Sequence, residues 1–274
     1  MTFTPQKDIP QLNGKVILVT GANTGLGKAA ITEFCWHQPL QVWLTARSLD
    51  KARAAANKIK QLIPDALIKL LDLNLASFNS IKEAVKLVLQ ESNRLDILML
   101  NAGIMATAPG LTTRDGADVR VVSVSSHGHY YAPTGGFLFN TLKTDATRLT
   151  AFEQYGQSKL ANILWARQLA KLYPQFTAAA VHPGVVKTNL LSGAANAPLL
   201  FRAVFGAAYV LGLKSSAETG VKNQLWASVS KDVVSGYYYE PVGAGGRASA
   251  YGQDDKLAEE IWRWTENELR EHAA

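Results

Sequence analysis

Lys15–Gly27, KVILVTGANTGLG, is the stretch on which the reading of the fold turns. Val16, Ile17, Leu18 and Val19 form an unbroken apolar run, the pattern of a strand covered on both faces of a parallel sheet. Gly21, Gly25 and Gly27 come next, giving a turn without side chains that opens a helix near Leu26. Backbone N–H groups and the positive end of that helix can then approach a pyrophosphate closely. The spacing G-x-x-x-G-x-G differs from the general dinucleotide fingerprint, and glycine turns after strands often serve structure alone. Its weight comes from the motifs spaced farther down the chain.

The helix after the turn is expected to run toward Gln38, with Pro39 marking its end. Gln41–Thr45 reads as a second strand, followed by Ala46, Arg47 and Ser48. An acidic residue at that strand end would bind an adenosine ribose 2′-OH, whereas an arginine accommodates a 2′-phosphate. Arg47 therefore points to NADP(H) over NAD(H), against the alternative of a plain surface arginine. Ser48 is placed to cap the next helix, in which Ala52, Ala56, Ile59 and Ile63 recur at helical spacing. Leu67–Leu71 is the third strand, ending at Asp72, and Ile81, Ala84, Val85, Val88 and Leu89 mark another helix face. Leu95–Leu100 forms a fourth strand running into Asn101-Ala102-Gly103. Strict alternation of strand and helix predicts a doubly wound parallel sheet.

Size and composition narrow the classes. A chain of 274 residues suits a single domain over 1–274, and no repeat or linker divides it. The formal charge of +6 is scattered and forms no dense tract, so no nucleic-acid partner is expected. Cys35 is alone, which fits a reduced, cytoplasmic setting and leaves neither a disulfide framework nor a cysteine metal site. His127 and His129 lie close together without a third ligand, so no metal is expected there. The first fifteen residues carry no apolar core of a secretion signal. The apolar stretch near Ala197–Leu213 is interrupted by Arg202 and too short to span a bilayer; it reads as a packed helix, with peripheral membrane contact the lesser reading.

Thr20–Gly27, Asp72-Leu73, Asn101-Ala102-Gly103, Ser126, Tyr155-x-x-x-Lys159 and Pro183-Gly184 stand in an order that resembles the short-chain dehydrogenase/reductase superfamily. The flavour is similar to its retinol-dehydrogenase-like and WW-domain-oxidoreductase-like branch, from about Lys15 to the C-terminal helix. The resemblance implies a three-layer α/β/α Rossmann fold. It further implies a nicotinamide cofactor held by Gly21, Asn23, Thr24, Gly25, Leu26 and Gly27, with Arg47 at the adenosine end. Asp72 and Leu73 would lie at the adenine, and Asn101, Ala102 and Gly103 would close the floor beneath. Val186 would read the carboxamide, Thr188 a phosphate, and Leu190–Leu213 would form a substrate lid.

One crossover departs from the family pattern. Family members carry a long helix between the fourth and fifth strands, usually with a catalytic asparagine. Here LTTRDG runs directly into ADVRVVSVSS, and no asparagine lies between Ile104 and Val124. A parallel connection needs about a dozen residues or more and usually a helix. Ile104–Asp118 is long enough only as an extended loop. The expected consequences are exposed aliphatic surface on strands four and five and loss of the helix that commonly forms the family's homo-oligomer interface. A join at Gly116-Ala117 fits an exon-skipped form or a gene-model error.

The chemistry falls in the second half. Val119–Ser125 reads as the fifth strand, with Ser126 the better match to the family's catalytic serine and Ser125 the fallback. Tyr155 and Lys159 stand at i and i+4 on a helix from about Gln154 to Tyr173, so one face presents both. A free tyrosine has a pKa of about 10, and the nearby ammonium is expected to lower it. By the family mechanism, Lys159 would also bind the nicotinamide ribose and Tyr155 would pass the proton. Tyr131, Phe137 and Phe139 are expected either to rim a substrate pocket or to pack. Ala178–Val181, Ser216–Ser228, Gly236–Glu240 and Asp254–His272 complete the chain as strand, helix, strand and helix. The expected function is an NADP(H)-dependent oxidoreductase interconverting a hydroxyl and a carbonyl on an apolar small molecule. The rival is a catalytically silent nucleotide-binding or misfolded product.

Overall fold

The computed structural model describes residues 3–102, 119–142, 144, 148–184, 186 and 216–272. In chain order the elements are α1 (Pro5–Asp8), β1 (Val16–Val19), α2 (Gly25–Trp36), β2 (Gln41–Ala46), α3 (Leu49–Leu62), β3 (Ile68–Asp72), α4 (Phe78–Glu91) and β4 (Ile97–Leu100). After it come β5 (Val119–Val124), α5 (Ala151–Leu172), β6 (Phe176–Val181), α6 (Ala217–Gly220), α7 (Lys222–Val229), β7 (Tyr238–Tyr239) and α8 (Asp255–His272). The seven strands form one parallel sheet in the order β3-β2-β1-β4-β5-β6-β7. Strand order reverses between β1 and β4, and this is where ligands bind in open α/β sheets.

All four residues of β1 are buried, as a strand sandwiched between helices must be. On one face Ile17, Val19, Val42 and Leu44 pack with Ala30, Ile31 and Phe34 of α2, Ala56 and Ile59 of α3, and Leu225 of α7. On the other, Val16, Leu18 and Trp43 pack with Ile81, Ala84 and Val88 of α4. α5 and α8 cover β5 and β6 on that side through Leu169 and Trp262. The result is the expected three-layer α/β/α arrangement. Helix starts are capped as their sequences direct: Ser48 and Ser77 accept from the third backbone N–H onward, and Thr150 with Glu153 forms a reciprocal capping box.

Three expectations change. Leu100, Val119 and Val121 are buried, so the exposed aliphatic face expected on strands four and five is not found there, although Leu98 is only half-buried. The cover reaches them from the C-terminal half of the chain: Leu169 of α5 and Trp262 of α8 join the same cluster, and the Trp262 ring stacks on Trp165 at 5.8 Å. The segment Ser216–Ser228 is two helices meeting at Val221, not one. The last strand shrinks to Tyr238–Tyr239. Gly103, Ile104–Asp118, Thr188 and Leu190–Leu213, and with them the crossover and the lid, lie outside the described residues.

Candidate active site

The glycine turn stands at the carboxyl end of β1. Gly21 and Gly25 hold φ of 62° and 55°, where a side chain is strained. Gly27 is glycine for space: a Cβ there would come within 2.6 Å of Asn101 Nδ2 and 2.8 Å of the Gly21 carbonyl oxygen. Asn101 spends both amide hydrogens on this turn, donating to the Thr20 and Gly21 carbonyls at 2.9 and 3.3 Å. Ala102 N–H donates to Thr20 Oγ1 at 2.9 Å. The Asn101-Ala102 pair therefore braces the turn from below. Thr24 caps α2 without a side-chain hydrogen bond, and the first turn carries no acidic residue of its own to offset the positive helix end.

Arg47 and Asp72 sit together at the ends of β2 and β3, where Ala46 pairs with Asp72 in register. Both are exposed, and Leu73 beside them is buried with its N–H on the Ala46 carbonyl at 3.0 Å. The β2 strand end itself thus supplies a cation, and the nearest acid, Asp72, comes from β3.

Farther along the same edge β5 delivers the serine pair, and the two residues separate cleanly. The Ser125 hydroxyl is buried and donates to the Lys159 carbonyl at 2.7 Å, so it is spoken for by the backbone. Ser126 turns the other way: its Oγ accepts from Gly128 N–H at 3.1 Å and lies beside the Tyr155 phenol. Lys159 is only 8% exposed, which removes the reading of Tyr155 and Lys159 as a surface pair. Its Nζ lies 5.6 Å from the centre of the Tyr155 ring and donates one long bond, 3.4 Å, to the Val124 carbonyl.

The electrostatics differ from the expectation. Burial pushes the Tyr155 phenol above its ordinary value, with the Ser126 hydroxyl pulling it back in part; the lysine is not what lowers it. Burial also pushes Lys159 down to about 8, because an ammonium with one weak acceptor is poorly solvated. The side chains meet as spacing predicted, but in the protein alone desolvation outweighs the attraction between them.

Spacing did not reveal several neighbours. A Cβ on Gly128 would lie 2.6 Å from Tyr155 Cε1, and one on Gly156 would lie 2.5 Å from Ala132 N. These glycines let the loop after β5 close on α5. A glycine inside a helix beside the tyrosine was the available signal, since it costs about 1 kcal/mol unless something packs against it. His129 is fully buried, and the Ser249 N–H donates to its Nε2 at 2.9 Å. Its Nδ1 must then carry the hydrogen, which it donates to the Ser126 carbonyl at 2.8 Å. Both ring nitrogens are occupied, so His129 anchors the serine and has none left for a metal. His127 is paired with Glu240 at 2.9 Å, and Tyr238 donates to the other Glu240 oxygen at 2.7 Å. Phe137 packs in the core with Leu160 and Leu257, whereas Tyr131 is exposed, its ring edge-on to Phe152 at 5.7 Å.

Val186 packs against α6: a Cβ on Gly220 would strike it and would also approach Leu26 of the glycine helix. Just before it, His182 Nδ1 is buried without a partner, and burial lowers the imidazole pKa. A dinucleotide fits these groups. The α2 start, without a side-chain cap bond, suits a pyrophosphate, the under-bonded Lys159 ammonium suits a ribose hydroxyl, and the orphaned His182 nitrogen lies in the turn expected at the nicotinamide.

Fold and site together define a dinucleotide-dependent oxidoreductase of the Rossmann type. A family model for short chain dehydrogenases matches residues 15–135. The short-chain dehydrogenase/reductase drtF of Aspergillus calidoustus is 34% identical, covering 96% of each chain. That comparison runs over 311 positions against 274 residues here, so the relative carries residues without counterpart. Mouse retinol dehydrogenase 12 is 30% identical, covering 92% of this chain and 85% of its own. A crystal structure of a Mycobacterium marinum short-chain type dehydrogenase/reductase shares the fold with a TM-score of 0.63, at 19% identity over 85% of this chain and 96% of its own. The chain belongs to the short-chain dehydrogenase/reductase family, in its retinol-dehydrogenase-like branch, and is an oxidoreductase of CH–OH donors using a nicotinamide dinucleotide. Among the described residues no helix is long and apolar enough to cross a membrane.

Proposed function

We propose that this single-domain chain is an NADP(H)-dependent oxidoreductase that interconverts a hydroxyl and a carbonyl on an apolar small molecule. The observation that carries the reading is the convergence of Ser126, Tyr155 and Lys159 at one end of β5 and α5. Ser126 would hold the substrate oxygen, sharing its hydroxyl with the phenol. Tyr155 would give a proton to that oxygen in reduction and take it in oxidation. Lys159 would hold the ribose and, with its charge brought close by that contact, favour the phenolate. A bound nicotinamide supplies the hydride acceptor or donor.

Arg47 supports the phosphorylated cofactor, since a guanidinium binds a 2′-phosphate through paired, charge-assisted bonds. The turn residues Gly21, Asn23, Thr24, Gly25, Leu26 and Gly27 would hold the pyrophosphate, with Asp72 and Leu73 at the adenine and Val186 at the carboxamide. Asn101 and Ala102 would act by bracing the turn. The apolar substrate is supported by retinol dehydrogenase 12, whose name states an apolar alcohol. A cytoplasmic setting is supported by the single cysteine of the sequence, Cys35, which fits a reduced compartment.

The test pairs NADPH titration with turnover on a panel of apolar aldehydes and alcohols. Tyr155→Phe is expected to lower turnover on the order of 100- to 10,000-fold while binding NADPH as before. Full activity in that variant overturns the role of Tyr155. NADPH binding without turnover in the unaltered chain makes the protein a nucleotide-binding module instead.

A further inference from the structure

Asn162 lies one turn beyond Lys159 on α5 and is 5% exposed. Its Nδ2 donates to the Val124 carbonyl at 2.8 Å, and Lys159 Nζ reaches the same oxygen at 3.4 Å. A carbonyl oxygen offers two lone pairs, so both donors fit, but the shorter bond belongs to the amide. The ammonium is left with one stretched contact and unspent donors in a buried place. An ammonium alone beside a dry carbonyl would close to a charge-assisted bond under about 3 Å, the stronger kind. The amide prevents that closure.

We propose that Asn162 is a positioning residue that occupies the Val124 carbonyl and so keeps the Lys159 ammonium free to turn to a ribose hydroxyl. The inference rests on the reading of Lys159 as a cofactor-binding residue. Ser125 makes the reciprocal tie, from strand hydroxyl to helix carbonyl, and holds the β5 end against α5 without competing for the ammonium. Among the described residues, the titratable groups near Lys159 are Tyr155 on the same helix and His182 at the end of β6, and His182 in turn feels Glu240, His127 and His129.

NADPH affinity measured by fluorescence from pH 6 to 9.5 tests the assignment on the full chain. The wild-type protein is expected to bind evenly below about pH 8 and to weaken above it as the ammonium is lost. Asn162→Ala lets the carbonyl capture the ammonium and raises its pKa. Binding should fall roughly tenfold near neutrality and the alkaline break should move up by at least about half a pH unit. Asn162→Leu, close in size but without the donor, should shift the break in the same direction. It keeps the test open if the alanine variant does not melt cooperatively. Ser125→Ala should leave the break in place.

A loss of affinity equal at every pH, with an unmoved break, would reduce Asn162 to packing and overturn the proposal. Lys159→Met separates the two layers. If it binds NADPH like wild type, the reading of Lys159 itself fails. If it loses affinity while the Asn162 variants leave the break unmoved, only the positioning role fails.

Discussion

Gly128 leaves no room for even a methyl group beside Tyr155, whose ring edge would lie 2.6 Å from a Cβ there. The loop that begins at Ser126 is thus pressed onto the phenol by the smallest residue available. Gly128→Ala must displace either the loop or the ring. The expected cost is about 1–3 kcal/mol of stability together with a fall in kcat, and NADPH affinity should hold. Thermal melts and steady-state kinetics check it.

On the proposed NADP(H) reading, Arg47 would set which cofactor the β2 end accepts. Arg47→Glu would then replace a phosphate-binding cation by a carboxylate suited to a ribose hydroxyl. Preference should swing from NADPH toward NADH by roughly 10- to 100-fold, as loss of one or two charged hydrogen bonds implies. Titration with both nucleotides reports the ratio, and an unchanged ratio returns Arg47 to the plain surface.

Lys159 also leaves a mark on folding stability. Its pKa in the folded protein is about 8, against 10.5 for the unperturbed side chain. Between those values the unfolded chain binds more protons, so stability of the cofactor-free protein should rise with pH through this window. The full difference is on the order of 3 kcal/mol. Chemical denaturation at pH 7 and 9.5 should show the gain in wild type and its loss in Lys159→Met.

Asp96 ties together the amino-terminal ends of the central strands β1 and β4. Its buried carboxylate accepts from Val16 N–H at 2.9 Å, Lys15 at 3.1 Å and Arg94 Nε at 2.8 Å. Burial alone would raise its pKa, but Arg94, Val16 and Lys15 together hold it below the usual carboxylate value. The stabilisation is present above that usual value and is lost as pH falls through the folded-state one. Asp96→Ala, which leaves the buried Val16 N–H without its acceptor, should cost about 1–3 kcal/mol. Urea melts of variant and wild type decide it.

Much of this architecture was legible in the chain. Val16–Val19 read as a doubly covered strand because an unbroken apolar run has nowhere else to go, and all four residues are buried. Tyr155 and Lys159 were paired by helical geometry, and both lie on α5 as expected. Their ionisation was not legible, because burial is set by the β5 end and the loop after Ser126, which no i, i+4 rule contains. Gly128 and Asn162 escaped notice for the same reason: each answers to a partner distant in sequence or to a main-chain oxygen. The exposed patch expected from the short crossover failed at Val119 and Val121 because Leu169 and Trp262 supply cover from the C-terminal half of the chain.

The β1–β4 ladder carries a mechanical consequence. Among the described residues the β1–β4 ladder has three register pairs, Ile17 with Ile97, Leu18 with Leu98 and Val19 with Met99, and it joins the β3-β2-β1 half of the sheet to the β4-β5-β6-β7 half. This is a narrow seam, and Asn101 and Ala102 rivet its upper end by gripping Thr20 and Gly21. A dinucleotide lying across it would act as a splint between the halves, so occupancy should slow amide exchange at Val19 and Met99 first.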